Sequence, residues 1–199
     1  MSKFINPDKF FTEGSFKKAK RPTSISPERA DYGKKAVKKP DVVSRCTYIH
    51  PQIGKRCKNL LGLYTEYCEL HSMLIDNVYI APSQIKKAGI GLYAGVYGFE
   101  KGDKIGEYSK PWNKVKLKTL ERRCKSDSCW DYILCDGDSC WDGLDIRSTL
   151  MRNINDAHNT KFRNNSFFEN IKGKIYVIAS RNIKPHTEIL VDYGNNYWN

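Results

Sequence analysis

Glu188-Ile189-Leu190-Val191-Asp192-Tyr193-Gly194 is an apolar run that stops at an Asp-Tyr-Gly corner. Such a run reads as a strand, and the glycine lets the chain turn away at its end. A tyrosine there either closes a sheet or looks into a site. The aromatic pair Tyr197-Trp198 beyond it favours a tail packed down over something, since two large rings bury well. A second polar knot, Arg152-Asn153-Ile154-Asn155-Asp156-Ala157, lies upstream. Its adjacent polar pair, Asn155 and Asp156, must either cap a turn or bind something. Further upstream, Gly89-Ile90-Gly91 lets backbone amides approach a ligand closely. Alone, such a pair is more often a turn. It lacks the third glycine and the βαβ setting of a dinucleotide fingerprint.

Around these motifs the chain has 199 residues, enough for one ordinary domain and a small module. At 40% apolar residues it can build a core. No stretch is apolar for long enough to span a bilayer, so no membrane partner is expected. Met1-Ser2-Lys3-Phe4 leads into no apolar signal core, so an intracellular location is expected. The net charge of +12 is uneven: residues 1–45 carry a net +7. A basic arm of this kind either attracts a polyanion such as nucleic acid or is simply a solvated tail. Residues 1–44 are rich in Lys, Ser and Pro and are expected to form a flexible arm. Seven cysteines without a signal peptide point to a reducing compartment, where thiols serve as metal ligands or buried apolar groups.

The first compact unit is expected over 45–72. Cys46, Cys57, Cys68 and His71 follow a Cys-x10-Cys-x10-Cys-x2-His pattern. Three soft thiolates and one imidazole suit tetrahedral Zn²⁺. The surrounding segment has few large apolar residues, so a metal would supply its folding energy. His50 is a weaker ligand candidate. The spacing resembles the WRC-type zinc motif, which implies a structural metal and a DNA- or protein-binding element. Cys124, Cys129, Cys135 and Cys140 form a second regular series. It reads either as another metal site or as buried thiols in a hairpin.

From Asn77 onward the pattern is β-like. Strands are expected at Val78–Ile80, Gly91–Ala94, Lys104–Tyr108, Lys174–Ala179 and Glu188–Val191. A hairpin turning at Asp136-Gly137 joins Tyr132–Cys135 to Cys140–Asp142. Lys114 to Arg123 reads as a short helix. Many short strands with few helices predict a mostly-β domain over 77–199.

Taken together these motifs resemble a SET domain, the fold of protein lysine methyltransferases. The resemblance rests on Gly89-Ile90-Gly91-Leu92-Tyr93-Ala94, Gly106-Glu107-Tyr108, Arg152 to Ala157, Asn165, Ile178 to Ile183, and Glu188 to Gly194. They stand in family order. Two departures stand out: the family's His after Asn is Asp156, and no cysteine-rich segment follows the domain. The Asn-, Lys- and Ile-rich composition suggests an AT-rich genome, and the compact domain resembles viral and microbial members of the family.

The resemblance implies a mostly-β fold of small sheets with a C-terminal pseudoknot. It implies S-adenosylmethionine as methyl donor and a protein lysine as acceptor, with histones as the leading substrate class. Tyr193 and Tyr108 would be catalytic. Gly89, Ile90, Gly91, Tyr93, Asn155, Asp156 and Trp198 would line the donor site. Asn165 would brace the knot. A nuclear or chromatin-associated location follows, with nucleic acid a further partner through the arm and zinc module. The alternative is a catalytically weak scaffold of the same fold that tethers partners.

Overall fold

A computed structural model describes residues 44–124, 130–143 and 148–198. The expected arm therefore lies outside the described residues, apart from Ser44.

Among the described residues, three small antiparallel sheets make up the main β structure. The first orders β1 (Val78–Pro82), β2 (Ile90–Ala94) and β9 (Glu188–Ile189) as β1-β2-β9. The second sets β8 (Lys174–Ala179) between β3 (Lys104–Glu107) and β7 (Ser166–Ile171). The third sets β6 (Ser139–Asp142) between β4 (Lys114–Lys116) and β5 (Ile133–Asp136). Among the described residues there are also three short α-helices, α1 (Glu69–His71), α2 (Leu117–Arg123) and α3 (Asn195–Trp198), with short 3₁₀ and π-helical turns between.

The first sheet is buried on both faces, which explains why its strands are apolar without strict alternation. Val78, Ile80, Leu92 and Ala94 face the main core, with Val177, Ile189 and Val191. Tyr79, Ala81 and Tyr93 face the other way and pack on Met73. Leu63 and Tyr64 carry the cysteine-bearing segment onto this fold, and the Tyr64 hydroxyl accepts the Ile80 N–H at 3.2 Å.

Several expectations change. The segment from Lys114 begins as strand: Lys114–Lys116 pairs with Trp141, Cys140 and Ser139, and the helix starts at Leu117. The hairpin turns on Gly137-Asp138, one residue later than expected, since Asp136 pairs with Ser139. Gly137 has φ +56, as the first central residue of a type II′ hairpin requires. β7, Ser-Phe-Phe-Glu-Asn-Ile, has no clear alternation and escapes a sequence reading, yet its whole length pairs with β8. Finally, Cys135 and Cys140 face each other across the hairpin as a disulfide. They are thus not open to a metal, and the expectation of reduced thiols fails at this pair and at Cys124, which is also disulfide-bonded. Cys129, a member of the same series, lies outside the described residues.

The expected last strand divides in two. Glu188 and Ile189 pair with β2, whereas Leu190 and Val191 pass between Asn155 and Ser166 as parallel bridges. The C-terminal segment is thus threaded between two loops of the chain. Asn165, 4% exposed, holds the thread as a surrogate strand: its Oδ1 accepts the Leu190 N–H at 2.9 Å and its Nδ2 donates to the Glu188 carbonyl at 2.8 Å.

Candidate active site and metal cluster

The thread delivers Tyr193 to a small cavity of about 50 Å³, lined by Tyr108, Asp131, Ile133, Leu134, Arg152 and Ile154 with Phe168, Tyr193 and Tyr197. Tyr108 closes it from β3's end, its hydroxyl donating to the Tyr132 carbonyl at 3.0 Å and its ring meeting Phe168 edge-on. The Tyr193 hydroxyl donates to the Ile154 carbonyl at 2.6 Å. That bond commits the proton, and the oxygen's remaining capacity is as an acceptor. Burial first, and then the neighbouring Tyr108 and Tyr197, push the Tyr193 hydroxyl far above its ordinary value. Burial does the same to Tyr108. Both therefore stay neutral and protonated at any physiological pH.

Consecutive residues of the knot serve two regions. Ile154 lines the cavity, while the Asn155 side chain reaches the glycine turn, where its Nδ2 donates to the Ile90 carbonyl at 2.9 Å. Gly89 has φ +73, and a Cβ placed there would meet nothing within 4 Å, so the backbone at this corner is bare. Gly91 is different. A Cβ there would fall on the Glu188 carboxylate, 2.8 Å from its Cδ.

Glu188, part of the closing motif, is a site residue that the motif pattern by itself does not mark as one. It is 3% exposed and accepts from Ser83 Oγ (2.6 Å), the Gln84 N–H (2.8 Å) and Asn155 Nδ2 (3.2 Å). An acid inside an apolar strand was the available signal: a carboxylate there needs partners. Arg152 and Asp131 also line the cavity, with no sequence signal that sets them apart. The Arg152 guanidinium lies over the Tyr132 ring at 4.6 Å.

The remaining expected site residues divide by position. Asp156 is 7% exposed and bonded to Tyr193, Asn164, His158 and Trp198. Burial alone would raise its carboxyl, but the Tyr193 N–H, the Trp198 indole, Asn164 and the His158 N–H together hold it below the usual range. Trp198 stacks on His158 at 4.7 Å and remains 46% exposed. Tyr93 sits apart, fully buried against Tyr79, with its hydroxyl donated to the Pro82 carbonyl at 2.7 Å. Its hydroxyl touches the anchor of the glycine turn in a 3.4 Å contact with Glu188.

The ligating atoms of Cys46, Cys57, Cys68 and His71 all lie within 4.8 Å of one another. His71 Nδ1 is 3.4 Å from Cys46 Sγ and 3.3 Å from Cys68 Sγ. Tetrahedral zinc would set an S–N edge of about 3.6 Å, so the residues fit that ion. Two antiparallel bridges, Arg45 with Leu60 and Ile49 with Arg56, bring the first two cysteines together. The Asn59 N–H donates to Cys57 Sγ at 3.4 Å, and Tyr48 stacks on His71 at 3.9 Å. Such contacts fix ligand orientation. His50 stands outside the cluster, its Nδ1 accepting the Gln52 N–H. Two exposed arginines of the module brace its backbone: Arg56 donates to the Cys46 and Arg45 carbonyls, and Arg45 to that of Cys57.

Comparison with known proteins bears on 89–194, the residues matched by the SET domain family model. Among solved structures, the chain is similar to the methyltransferase domain of human PR domain-containing protein 2, at 25% identity and a TM-score of 0.46, over 60% of this chain and 78% of that one. It is also similar to a structure described as ctPRC2 in an autoinhibited conformation bound to S-adenosylmethionine, at 23% identity and a TM-score of 0.46, over 61% of this chain and 16% of that one. No protein of curated function matches the sequence.

Proposed function

The chain belongs to the SET domain family, and from that premise we propose that it is an S-adenosylmethionine-dependent protein-lysine N-methyltransferase. The observation that carries this reading is the Tyr193 hydroxyl: its proton is given to the Ile154 carbonyl, and its oxygen is left as an acceptor in a small tyrosine-lined cavity.

S-adenosylmethionine would supply an electrophilic methyl group carried on a sulfonium. Gly89, Ile90, Gly91 and Asn155 would hold it, chiefly through the bare backbone of the glycine corner. Trp198 would cover it. The acceptor lysine must arrive uncharged, although a free lysine has a pKa of about 10.4. A cavity walled by Tyr108, Ile133, Leu134 and Phe168 disfavours the ammonium and lowers that value. Tyr193 is not a base, because its own hydroxyl never ionises in the working range. Its oxygen orients the amine and stabilises the positive charge that develops there. Tyr108 shapes the channel and aligns the side chain, and alignment supplies much of the rate.

The substrate we favour is a histone or another basic, nucleic-acid-associated protein, with a nuclear or chromatin-like setting. Asp131 at the cavity would attract a basic peptide on approach, before its lysine gives up the proton. We assign residues 45–72 to a zinc module, with Cys46, Cys57, Cys68 and His71 as ligands, and residues 77–199 to the catalytic domain. The basic arm over 1–44 would bring the enzyme to polyanions. Among the described residues no helix is long and apolar enough to cross a membrane.

The test is methyl transfer from S-adenosylmethionine to mixed histones and other basic proteins, read by mass spectrometry. Methylated lysine in the presence of the wild-type chain is expected. Its absence under every condition tried would leave the scaffold reading.

A further inference from the structure

We propose that the Asp156 carboxylate is a positioning residue that fastens the C-terminal turn over the donor half of the site, and does not itself bind the donor. The inference rests on the methyltransferase reading and changes what the resemblance implies for this position.

The carboxylate has no acceptor capacity left. Its Oδ1 takes the His158 N–H at 2.9 Å and Asn164 Nδ2 at 3.1 Å. Its Oδ2 takes the Tyr193 N–H at 2.8 Å and the Trp198 indole N–H at 3.0 Å. A carboxylate offers about four lone-pair sites, and four donors occupy them. A ligand amine or hydroxyl could enter only by displacing one of these. Two of the donors are local to the knot. The other two come from residues 37 and 42 positions further on, so one side chain ties the knot to the tail.

The tail needs such a tie. α3 has only four residues, Asn195–Trp198. A single turn does not hold itself together in water, because nucleation costs more than one hydrogen bond returns. Among the contacts that seat it are the Trp198 indole bond to Asp156, the stack of Trp198 on His158 at 4.7 Å and 12°, and the near-parallel Tyr193 ring at 6.2 Å. Oδ2 thus fixes at one point both the backbone that aims the Tyr193 hydroxyl into the cavity and the edge of the ring that would cover the donor.

The substitution relative to the family also fits. A neutral imidazole has one acceptor nitrogen and could not take both N–H groups on one side while holding two on the other. Aspartate at 156 and tryptophan at 198 form a matched pair, joined by the indole N–H on Oδ2.

The test is a double-mutant cycle on the full chain, using Asp156→Asn and Trp198→Phe. Asparagine turns one accepting edge into a donor, and phenylalanine keeps the ring while losing the N–H. Affinity for S-adenosylhomocysteine, measured by calorimetry, is expected to weaken about tenfold in each single variant, the scale of one charge-assisted hydrogen bond. The double variant should be no weaker than the weaker single, because both remove the same bond. Multiplied effects, or an Asp156→Asn variant that binds like wild type and only unfolds earlier, would overturn the proposal. A second readout needs no donor. The emission of Trp198, isolated by difference against Trp198→Phe in each background, should become more open to iodide quenching when Asp156 is Asn. Unchanged quenching would also overturn it. If wild type binds no S-adenosylhomocysteine while quenching responds to Asp156, the fastening stands and the methyltransferase reading falls.

Discussion

Tyr193→Phe removes one oxygen from the cavity, and the structure sets the scale of both consequences. For stability, the lost interaction is the 2.6 Å bond to the Ile154 carbonyl, on a residue 2% exposed. A net hydrogen bond is worth about 1 kcal/mol, rising to about 3 kcal/mol if the carbonyl is left dry. A cavity of about 50 Å³ adjoins the bond and has room for water, so the lower figure applies. At about 2–4 °C per kcal/mol for a chain of this size, Tm should fall by only a few degrees. A loss of about 1 kcal/mol from a stability of about 5–15 kcal/mol leaves the variant folded at 25 °C. For catalysis, removing a preorganised group that meets charge developing in the transition state costs about 10²–10³ in kcat, or roughly 2.7–4 kcal/mol. The two magnitudes differ enough to separate the explanations. Lysine methylation would be followed by mass spectrometry, with S-adenosylhomocysteine affinity by calorimetry and Tm by circular dichroism. The expected pattern is near-complete loss of turnover, donor affinity within about twofold, and a small drop in Tm. Turnover within threefold of wild type would refute the reasoning. So would a parallel collapse of donor affinity, because Tyr193 would then hold the donor and not the reacting amine.

Gly91→Ala should destabilise by about 1–3 kcal/mol, because its Cβ falls on a Glu188 carboxylate that Ser83, Gln84 and Asn155 hold in place; urea titration measures it. Asn165→Ala should cost more, on the order of 2–5 kcal/mol, since it strands both the Leu190 N–H and the Glu188 carbonyl inside the thread, and the same titration checks it. Cys68→Ala should lower bound zinc from about one equivalent per chain toward none, by elemental analysis. Asp156 has a folded pKa below its unfolded value of about 3.9, so its charge contributes stability above that pH, and the contribution fades as pH falls through the folded value. The stability gap between wild type and Asp156→Asn should therefore be steady near neutrality and shrink below about pH 4.

Much of the fold was legible because some residues carry one dominant constraint. Lys174–Ala179 is apolar and β-branched and is a strand of those residues. Cys46, Cys57, Cys68 and His71 were identifiable because few chemistries use that set, and folding brings all four together. β7 was not legible: Phe167 is half-exposed, Phe168 packs on Tyr108, and the pairing with β8 defines the strand. The Cys135–Cys140 bond was equally hidden, because regular cysteine spacing fits a metal site or a hairpin, and only the cross-strand register distinguishes them.

The sequence by itself determined the residue types of the site: a glycine corner, an Asn-Asp knot and a terminal tyrosine in a fixed order. Their patterns are local, and local patterns survive in one dimension. Tertiary structure alone decided what each group does with its bonds. Glu188 became the anchor of the glycine turn because the pairing of β9 with β2 brings its carboxylate against Gly91. Asp156 spent its oxygens on a tail 37 to 42 residues away. Tyr193 gave its proton to Ile154 and kept its lone pairs for the cavity. The physical reason is that a buried polar atom must find a partner, and which partner it finds depends on the chain path, not on neighbours in sequence.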